Sequence, residues 1–431
     1  IQHKLVHGGQ QSSGGDTETY YKNLIKVDYT QPIKSKFTIE SGYQGTIGSN
    51  DASFTYNTSP FNFDYNENIH AIYLVVKNKQ NKKFGIQLGM RTEYLSRYTA
   101  LKLDSANNIN IEEKIKEDIY YYILNDVIDE IYDTSYVKLF PSAHIQYYIT
   151  DKIQLQAGYA KKVNRPRINT LSPFPKNTSD PNRIRNGNPF VKPEYIDRIS
   201  IDAVRNSRKA NLSAGFRYSI VNDNISWWDS DRITLQNNSE YQLLTADNSG
   251  ISTNYSINGM INLRPIPFIS MMITGYWWQS KVTGSDPSES DLNGTSEGLF
   301  SRFSATARIP KIGTIELRTS YSVPMKITRG TIESGKATDF SYQKKLFNNK
   351  LSLNFQIKDI FDKKSFTIKT DEQLYSEINN IYWTEEFEGY RKRAGRSLNL
   401  NLTYHFGDKE QRRRWQHSHS EGYGGSQDMD Y

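Results

Sequence analysis

Four arginines lie close together in a proline-rich stretch of the chain. Arg165 and Arg167 stand at its start, and Arg183 and Arg185 lie near its middle. A guanidinium group binds carboxylates and phosphates through paired hydrogen bonds, so these side chains are candidate contacts for an anionic ligand. The alternative is that residues 165–195 form a rigid loop with a structural role, because prolines restrict the backbone.

Aromatic residues offer a second candidate contact. Three aromatic pairs lie at or near the ends of predicted strands: Trp227-Trp228, Trp277-Trp278 and Tyr382-Trp383. Such rings stack on sugars and other flat ligands. They also collect in girdles where a membrane meets water. The sequence leaves both interpretations open for Trp227 and Trp228.

The chain offers little for catalysis or metal binding. It has no cysteine, which excludes disulfides, thiolate metal sites and a cysteine nucleophile. Its 7 histidines are scattered and form no His-Glu-x-x-His motif, and a Gly-x-Ser-x-Gly motif is absent. We therefore predict no enzyme, no cofactor and no metal site. The net charge of +7 is dispersed, which predicts no nucleic-acid partner.

The elements that must position these residues are β-strands. Apolar side chains occupy every second position in residues 84–90, 153–159, 212–218, 351–357 and 398–406. A period of two predicts strands with one apolar and one polar face. The chain as a whole is polar, with a mean hydropathy of −0.71. So many half-apolar strands in a polar chain predict that the apolar faces meet lipid and the polar faces meet water.

Short turns and long loops alternate between these strands. The pattern predicts about fifteen strands over residues 20–406. Short turns in the periplasm and long loops outside the cell are typical of transmembrane antiparallel β-barrels of the bacterial outer membrane. Residues 1–19 are predicted to be a flexible lead-in or loop, residues 362–390 a long loop, and residues 407–431 a polar periplasmic tail.

An odd strand number predicts that the chain is part of a larger barrel. Bacterial single-chain barrels have an even number of strands. The large transporter barrels have about 22 strands and a plug in the lumen. We therefore expect a plug and further strands ahead of Ile1. The last strand, at residues 391–406, is expected to stand without a hairpin partner.

The proline-rich stretch also carries a family resemblance. Residues 159–167 read YAKKVNRPR, and residues 186–195 read NGNPFVKPEY. These segments resemble the outer-membrane β-barrel family of Bacteroidetes, a relative of the TonB-dependent receptors; Val191 stands where that family often has leucine. The residues that match its loop motif are Arg165, Pro166, Gly187, Asn188, Pro189, Lys192, Pro193, Glu194 and Tyr195.

The C-terminal strands carry the second part of the resemblance. Residues 351–362 (LSLNFQIKDIFD) are similar to a segment that precedes the final strands of such receptors. Residues 396–407 (RSLNLNLTYHFG) are similar to their terminal strand, whose signal here is Leu402, Tyr404 and Phe406. The likeness spans residues 20–407.

The resemblance implies a receptor-like barrel that binds or imports a substrate through its extracellular loops and a plugged lumen. The alternative is a non-transporting barrel that acts as a structural or accessory subunit of a larger outer-membrane complex. The long polar tail and the lack of a plug motif in the chain favour this alternative. Expected partners are outer-membrane lipids and lipopolysaccharide, a surface lipoprotein or other barrels, and a periplasmic partner for the tail at residues 407–431.

Overall fold

In a computed structural model, nearly all of the described chain forms β-strands. The structure describes residues 2–13, 16–33, 36–56, 59–81, 83–103, 118–119, 122–123, 131–177, 182–229, 233–236, 239–284, 294–327, 330–363, 365–376, 381–392 and 395–406. The predicted tail at residues 407–431 lies outside this set, and so does Ile1.

Most strands belong to one 20-stranded sheet. The strands are β1 (Gln2–Ser13), β2 (Asp16–Ile33), β3 (Phe37–Tyr56), β4 (Ser59–Asn81), β5 (Phe84–Leu103), β6 (Ile131–Thr150), β7 (Ile153–Asn164), β8 (Lys176–Asn177), β9 (Arg183–Arg185), β10 (Glu194–Asn206), β11 (Ala210–Asn222), β12 (Ile225–Asp229), β13 (Ile233–Thr234), β14 (Glu240–Asn248), β15 (Ile251–Ile266), β16 (Ile269–Thr283), β17 (Gly294–Ile309), β18 (Gly313–Ser322), β19 (Met325–Ile327), β20 (Gly330–Ile332), β21 (Lys336–Leu346), β22 (Leu351–Lys358), β23 (Ser365–Ser376), β24 (Ile381–Lys392) and β25 (Ser397–Tyr404). A short helix, α1 (Ile168–Leu171), lies between β7 and β8. Among the described residues, no helix has the length and hydropathy needed to cross a membrane.

Sixteen strands of the large sheet follow one another as antiparallel neighbours, and we call them the wall strands. Their order is β1 to β7, β10, β11, β15 to β18, β21, β22 and β25. Neighbours in the chain are therefore neighbours in the sheet, as in an up-and-down barrel.

The structure differs from the predicted boundaries in two places. Residues 1–19 were expected to be a loop, but Gln2–Ser13 is a strand that pairs with β2. Residues 362–390 were expected to be a loop, but most of the hairpin of β23 and β24 lies there. Among the described residues, the last strand, β25, forms no hairpin with the strand before it and pairs with β22. The polar, glycine-rich sequence of β1 has no apolar alternation, so its pattern gave no strand signal.

The register of the wall strands sorts apolar from polar side chains. Ile145, Ala157, Ile201, Phe216 and Ile257 lie opposite one another on five successive strands and share one face of the sheet. Ile201 and Ile257 are 52% and 51% exposed. Large side chains exposed in this way over a whole sheet are stable only against lipid. We call this surface the apolar face.

The residues that alternate with these along the same strands share the opposite surface of the sheet, which we call the polar face. The row next to Ile201 holds His144, Gly158, Ser200, Arg217 and Ser256 on the same five strands. In a barrel whose outer surface meets lipid, this face lines the lumen.

This assignment of faces predicts opposite effects for two neighbouring substitutions. Ile201→Arg is expected to destabilise the protein by about 2–4 kcal/mol, because it places a charge against lipid near the middle of β10. Ser200→Arg, its matched control on the polar face, is expected to cost less than about 1 kcal/mol. Guanidinium unfolding of the two variants in lipid vesicles measures the difference. Equal losses of stability would show that the faces are assigned wrongly.

Candidate functional site

The long connections at one end of the wall strands fold over the polar face. A 5-stranded sheet forms there, in the order β12, β14, β9 and β8, with β13 paired to β14. We call it the mouth sheet, and residues 165–193 are the mouth loop. The β9–β14 pairing is parallel, so the mouth loop runs alongside a strand that is far away in the chain.

An apolar core joins the mouth loop to the wall. Its wall members point from the polar face of β4 and β5, and the loop packs on them from the lumen side. The Phe63 ring meets the Phe174 ring edge-on, with centroids 6.1 Å apart. The buried members of this core are Phe61, Phe63, Leu101, Leu171, Phe174, Val191 and Ala246. The loop therefore sits inside the barrel mouth and is held there by burial of apolar surface.

A buried arginine ties the same loop to the wall. Arg97 of β5 is 1% exposed. Its Nη2 lies 3.0 Å from Glu67 Oε2, and its Nη1 donates a hydrogen bond of 3.3 Å to the Val191 carbonyl oxygen. The guanidinium also lies over the Tyr65 ring, 5.7 Å from its centroid. A buried charge is tolerated only with such partners, so this contact holds the loop in one position.

Arg165, a predicted ligand contact, has a carboxylate partner within the protein. Its guanidinium donates to Glu93 on β5, and Arg91 Nε donates to the other oxygen of Glu93 at 2.6 Å. The Glu93 side chain is almost fully buried. Arg165 therefore fixes the start of the mouth loop, which supports the structural alternative for this residue.

Gly187 occupies a position that has no room for a side chain. Its N–H donates a hydrogen bond of 2.9 Å to the Ser172 carbonyl oxygen. A Cβ atom built on Gly187 would collide with that oxygen and with the Thr170 backbone. Glycine is needed here because two backbone segments approach each other closely.

Gly187→Ala is therefore expected to loosen the mouth loop by about 1–3 kcal/mol, as overpacking of a filled site does. The matched control is Gly275→Ala on β16, where a Cβ would meet nothing within 4 Å. Limited proteolysis of residues 165–193 in the folded barrel measures the effect. A loop that is cleaved at the wild-type rate in Gly187→Ala would contradict the close packing.

Hydrogen bonds brace the rest of the family motif. Asn188 Oδ1 accepts from the Phe190 N–H at 2.9 Å. The Asn248 amide bonds both backbone groups of Lys192, at 2.8 Å to its N–H and 3.0 Å to its carbonyl. Glu194 is buried and accepts from Asn164 Nδ2 at 2.6 Å and from the Ile225 N–H at 2.7 Å. These partners hold the end of the loop at the top of β10.

The remaining motif residues are packed in the same way. Pro166, Pro189 and Pro193 are buried. The Tyr195 ring lies 4.9 Å from Lys138 Nζ. Most of the motif residues therefore have packing or hydrogen-bonding partners within the protein.

Two predicted ligand contacts come together on the mouth sheet. The Arg185 guanidinium lies over the Trp227 ring, 4.0 Å from its centroid. Arg183 and Arg185 flank Ile184 on β9, and Ile184 is buried while Arg185 is exposed. Trp227 also packs against the apolar core. This pair offers a flat ring and a cation at the mouth.

Arg167 and Trp228 are two further predicted contacts. Arg167 is exposed at the start of α1. The Trp228 side chain lies outside the described residues. Within the described ranges, no group of three or more His, Asp or Glu side chains is arranged to hold a metal ion.

The terminal-strand residues lie on the apolar face. Leu402 and Tyr404 of β25 are exposed there, and the Phe406 ring meets the Tyr404 ring edge-on at 4.7 Å. Exposed aromatic groups at a strand end are typical of the interfacial girdle of a membrane barrel.

Sequence reasoning missed the partners that position the loop. Glu67, Glu93, Arg97, Asn164 and Asn248 lie in strands, and their contacts join residues far apart in the chain. The sequence showed the wall residues only as charged or polar residues on the polar face of a strand. Such residues are found along the whole lumen side of a barrel, so they do not single out a site.

The model of the outer membrane protein beta-barrel family matches residues 4–411 of the chain. The chain belongs to this family. Its alternating faces and its succession of antiparallel neighbours are those of an outer-membrane barrel, so the predicted fold class and the location in the outer membrane are confirmed. Among curated proteins, none matches the chain.

Solved structures show the same fold for this outer-membrane barrel. The ferric yersiniabactin uptake receptor FyuA from Yersinia pestis matches with a TM-score of 0.59 at 12% identity, over 91% of this chain and 56% of the receptor. The FrpB iron transporter from Neisseria meningitidis matches with a TM-score of 0.58 at 10% identity, over 90% of this chain and 55% of the transporter. The ferric-catecholate import receptor Fiu from E. coli matches with a TM-score of 0.55 at 11% identity, over 91% of this chain and 55% of the receptor. The chain spans about half the length of these proteins, and at such identities the likeness shows the fold alone.

Proposed function

We propose that the protein is a receptor-like outer-membrane barrel that captures a small substrate at its extracellular mouth and passes it into the lumen. The proposal depends on one observation, which is that the mouth loop is packed against the lumen side of the wall strands. Its apolar core and the Arg97 and Arg165 contacts fix the Arg185–Trp227 pair before any ligand arrives. A preorganised surface of this kind binds at a lower entropy cost than a loose loop.

The structural likeness to FyuA, FrpB and Fiu supports the same proposed function. These proteins are described as an uptake receptor, an iron transporter and an import receptor. We infer by analogy that a substrate enters from outside and that a plug in the lumen controls its passage. An origin in Bacteroidetes and the partner proteins stay predictions.

The test compares what three forms of the full-length protein retain. Each form is purified from outer membranes and incubated with spent culture medium, and bound compounds are identified by mass spectrometry. Wild type and Arg205→Gln, an exposed arginine at the far end of β10, are expected to retain the same compound. Arg185→Gln is expected to retain about tenfold less, because it loses a charged contact.

Two outcomes would contradict the receptor. One is that wild type retains nothing beyond empty membranes. The other is that the protein copurifies in fixed ratio with other barrels and binds no small molecule, which would favour the accessory subunit of a larger complex.

A further inference from the structure

We propose that Lys162 and Arg198 form an oxyanion-binding site on the lumen side of the wall, below the mouth loop. Its ligand would be a carboxylate or phosphate group of a small molecule that enters through the mouth. This proposal rests on the proposed function and adds the charge of the substrate.

The register places the two cations side by side. Lys162 of β7 lies opposite Ile196 of β10, and Arg198 lies opposite Ala160. The two side chains are therefore diagonal neighbours on the polar face, within reach of one common group. Lys162 precedes Arg165, the first residue of the mouth loop, by three residues in the chain.

Several cations of the polar face have carboxylate partners. On the polar face, Arg217 lies 3.5 Å from Asp202, and Lys77 lies 2.6 Å from Glu40. Among the residues that the structure describes, neither Lys162 nor Arg198 forms an ion pair. Two like charges on neighbouring strands repel each other, and this costs stability unless a counter-charge lies between them.

The carboxylates of β10 are engaged elsewhere. Asp197, next to Arg198, points to the apolar face, where Lys161 Nζ lies 3.2 Å away and the Tyr159 hydroxyl donates to it at 2.6 Å. Glu194 is bound by Asn164 and the Ile225 N–H, and Asp202 faces Arg217. The strand therefore supplies no counter-charge to Arg198.

Short and mostly polar side chains share the row of Arg198, whereas Ile196 and Val221 share the row of Lys162. On the Arg198 level, the polar face shows Ser142, Ala160, Ser219, Asn254 and Ser280 in one row across the neighbouring strands. Short side chains leave space in front of the guanidinium. The hydroxyl and amide groups can donate further hydrogen bonds to an anion held by the two charges.

The experiment measures binding of citrate and of inorganic phosphate to the full-length protein by isothermal titration calorimetry. Wild type is expected to bind citrate, and Lys162→Gln and Arg198→Gln are each expected to bind it about tenfold more weakly. The matched control is Lys161→Gln, since Lys161 immediately precedes Lys162 in β7 but lies on the apolar face. It is expected to bind as wild type does. Added salt should weaken binding.

Two outcomes would overturn the site: wild type shows no heat with either anion at millimolar concentration, or a double variant carrying both Lys162→Gln and Arg198→Gln binds as wild type does. If wild type binds neither anion and the double variant is less stable than wild type, the two cations pair with an acidic segment of the protein itself.

The two proposals fail separately. A protein that retains a compound from culture medium but binds neither citrate nor phosphate keeps the receptor and loses the oxyanion site. A protein that binds citrate through Arg198 and Lys162 but retains no compound from the medium keeps the site and loses the receptor.

Discussion

Arg97→Met is expected to release the mouth loop from the wall while the wall itself stays folded. The substitution removes the partner of Glu67 and the donor to the Val191 carbonyl oxygen. It leaves the Glu67 carboxylate largely buried with no cation beside it, which typically costs about 3–5 kcal/mol. The wall keeps its hydrogen-bonded ladders, so the loss should appear as faster hydrogen exchange of residues 165–193 in the folded barrel.

An exposed ion pair on the same face supplies the control. Arg318 lies 2.7 Å from Glu316, and their side chains are 50% and 30% exposed. Such pairs contribute at most about 1 kcal/mol. Arg318→Met is therefore expected to leave exchange in the mouth loop unchanged. Wild-type protection of the loop in Arg97→Met would mean that the apolar core and the remaining polar contacts hold it without Arg97.

Phe63→Ala is expected to have a similar effect by a different route. The Phe63 side chain is 0% exposed and packs against Phe174 of the loop. Its removal leaves a cavity between loop and wall, and such a change typically costs about 3–5 kcal/mol. Guanidinium titration followed by hydrogen exchange should show the loop opening at a lower denaturant concentration than in wild type.

The matched control is Phe300→Ala. Phe300 lies on the polar face of β17 and is partly exposed to the lumen beside Arg302. With little buried contact to lose, this variant is expected to change stability by about 1 kcal/mol or less. Equal losses of stability in the two variants would show that the core between loop and wall does not stabilise the loop more than a partly exposed ring does.

The alternation of side chains predicted the wall because its cause is local. Alternation over residues 153–159 and 212–218 predicted strands, and the structure has Ile153–Asn164 and Ala210–Asn222 there. Each strand shows one face to lipid and one to water, so the sequence itself carries the period of two. β1 lacks that period, and its polar run could be recognised only through its pairing with β2.

The candidate site was predictable only in part, because its contacts are long-range. The proline-rich stretch was correctly expected as a loop, but the partner of Arg165 lies 72 residues away on β5. No feature of the sequence near Arg165 identifies Glu93 as its partner. The mouth sheet was missed for the same reason, since β8 and β9 are two or three residues long and pair with distant segments.

The wall strands differ in length around the sheet. β4 has 23 residues and β5 has 20, whereas β22 and β25 have 8 each. A tilted strand needs only about 9–11 residues to cross a bilayer. β4 and β5 are therefore about twice as long as a bilayer crossing needs, whereas β22 and β25 alone barely cross one and are joined by the hairpin of β23 and β24. We expect the projecting ends of β2 to β5 to face the cell exterior, so surface variation under attack by antibodies or bacteriophages should concentrate at their tips.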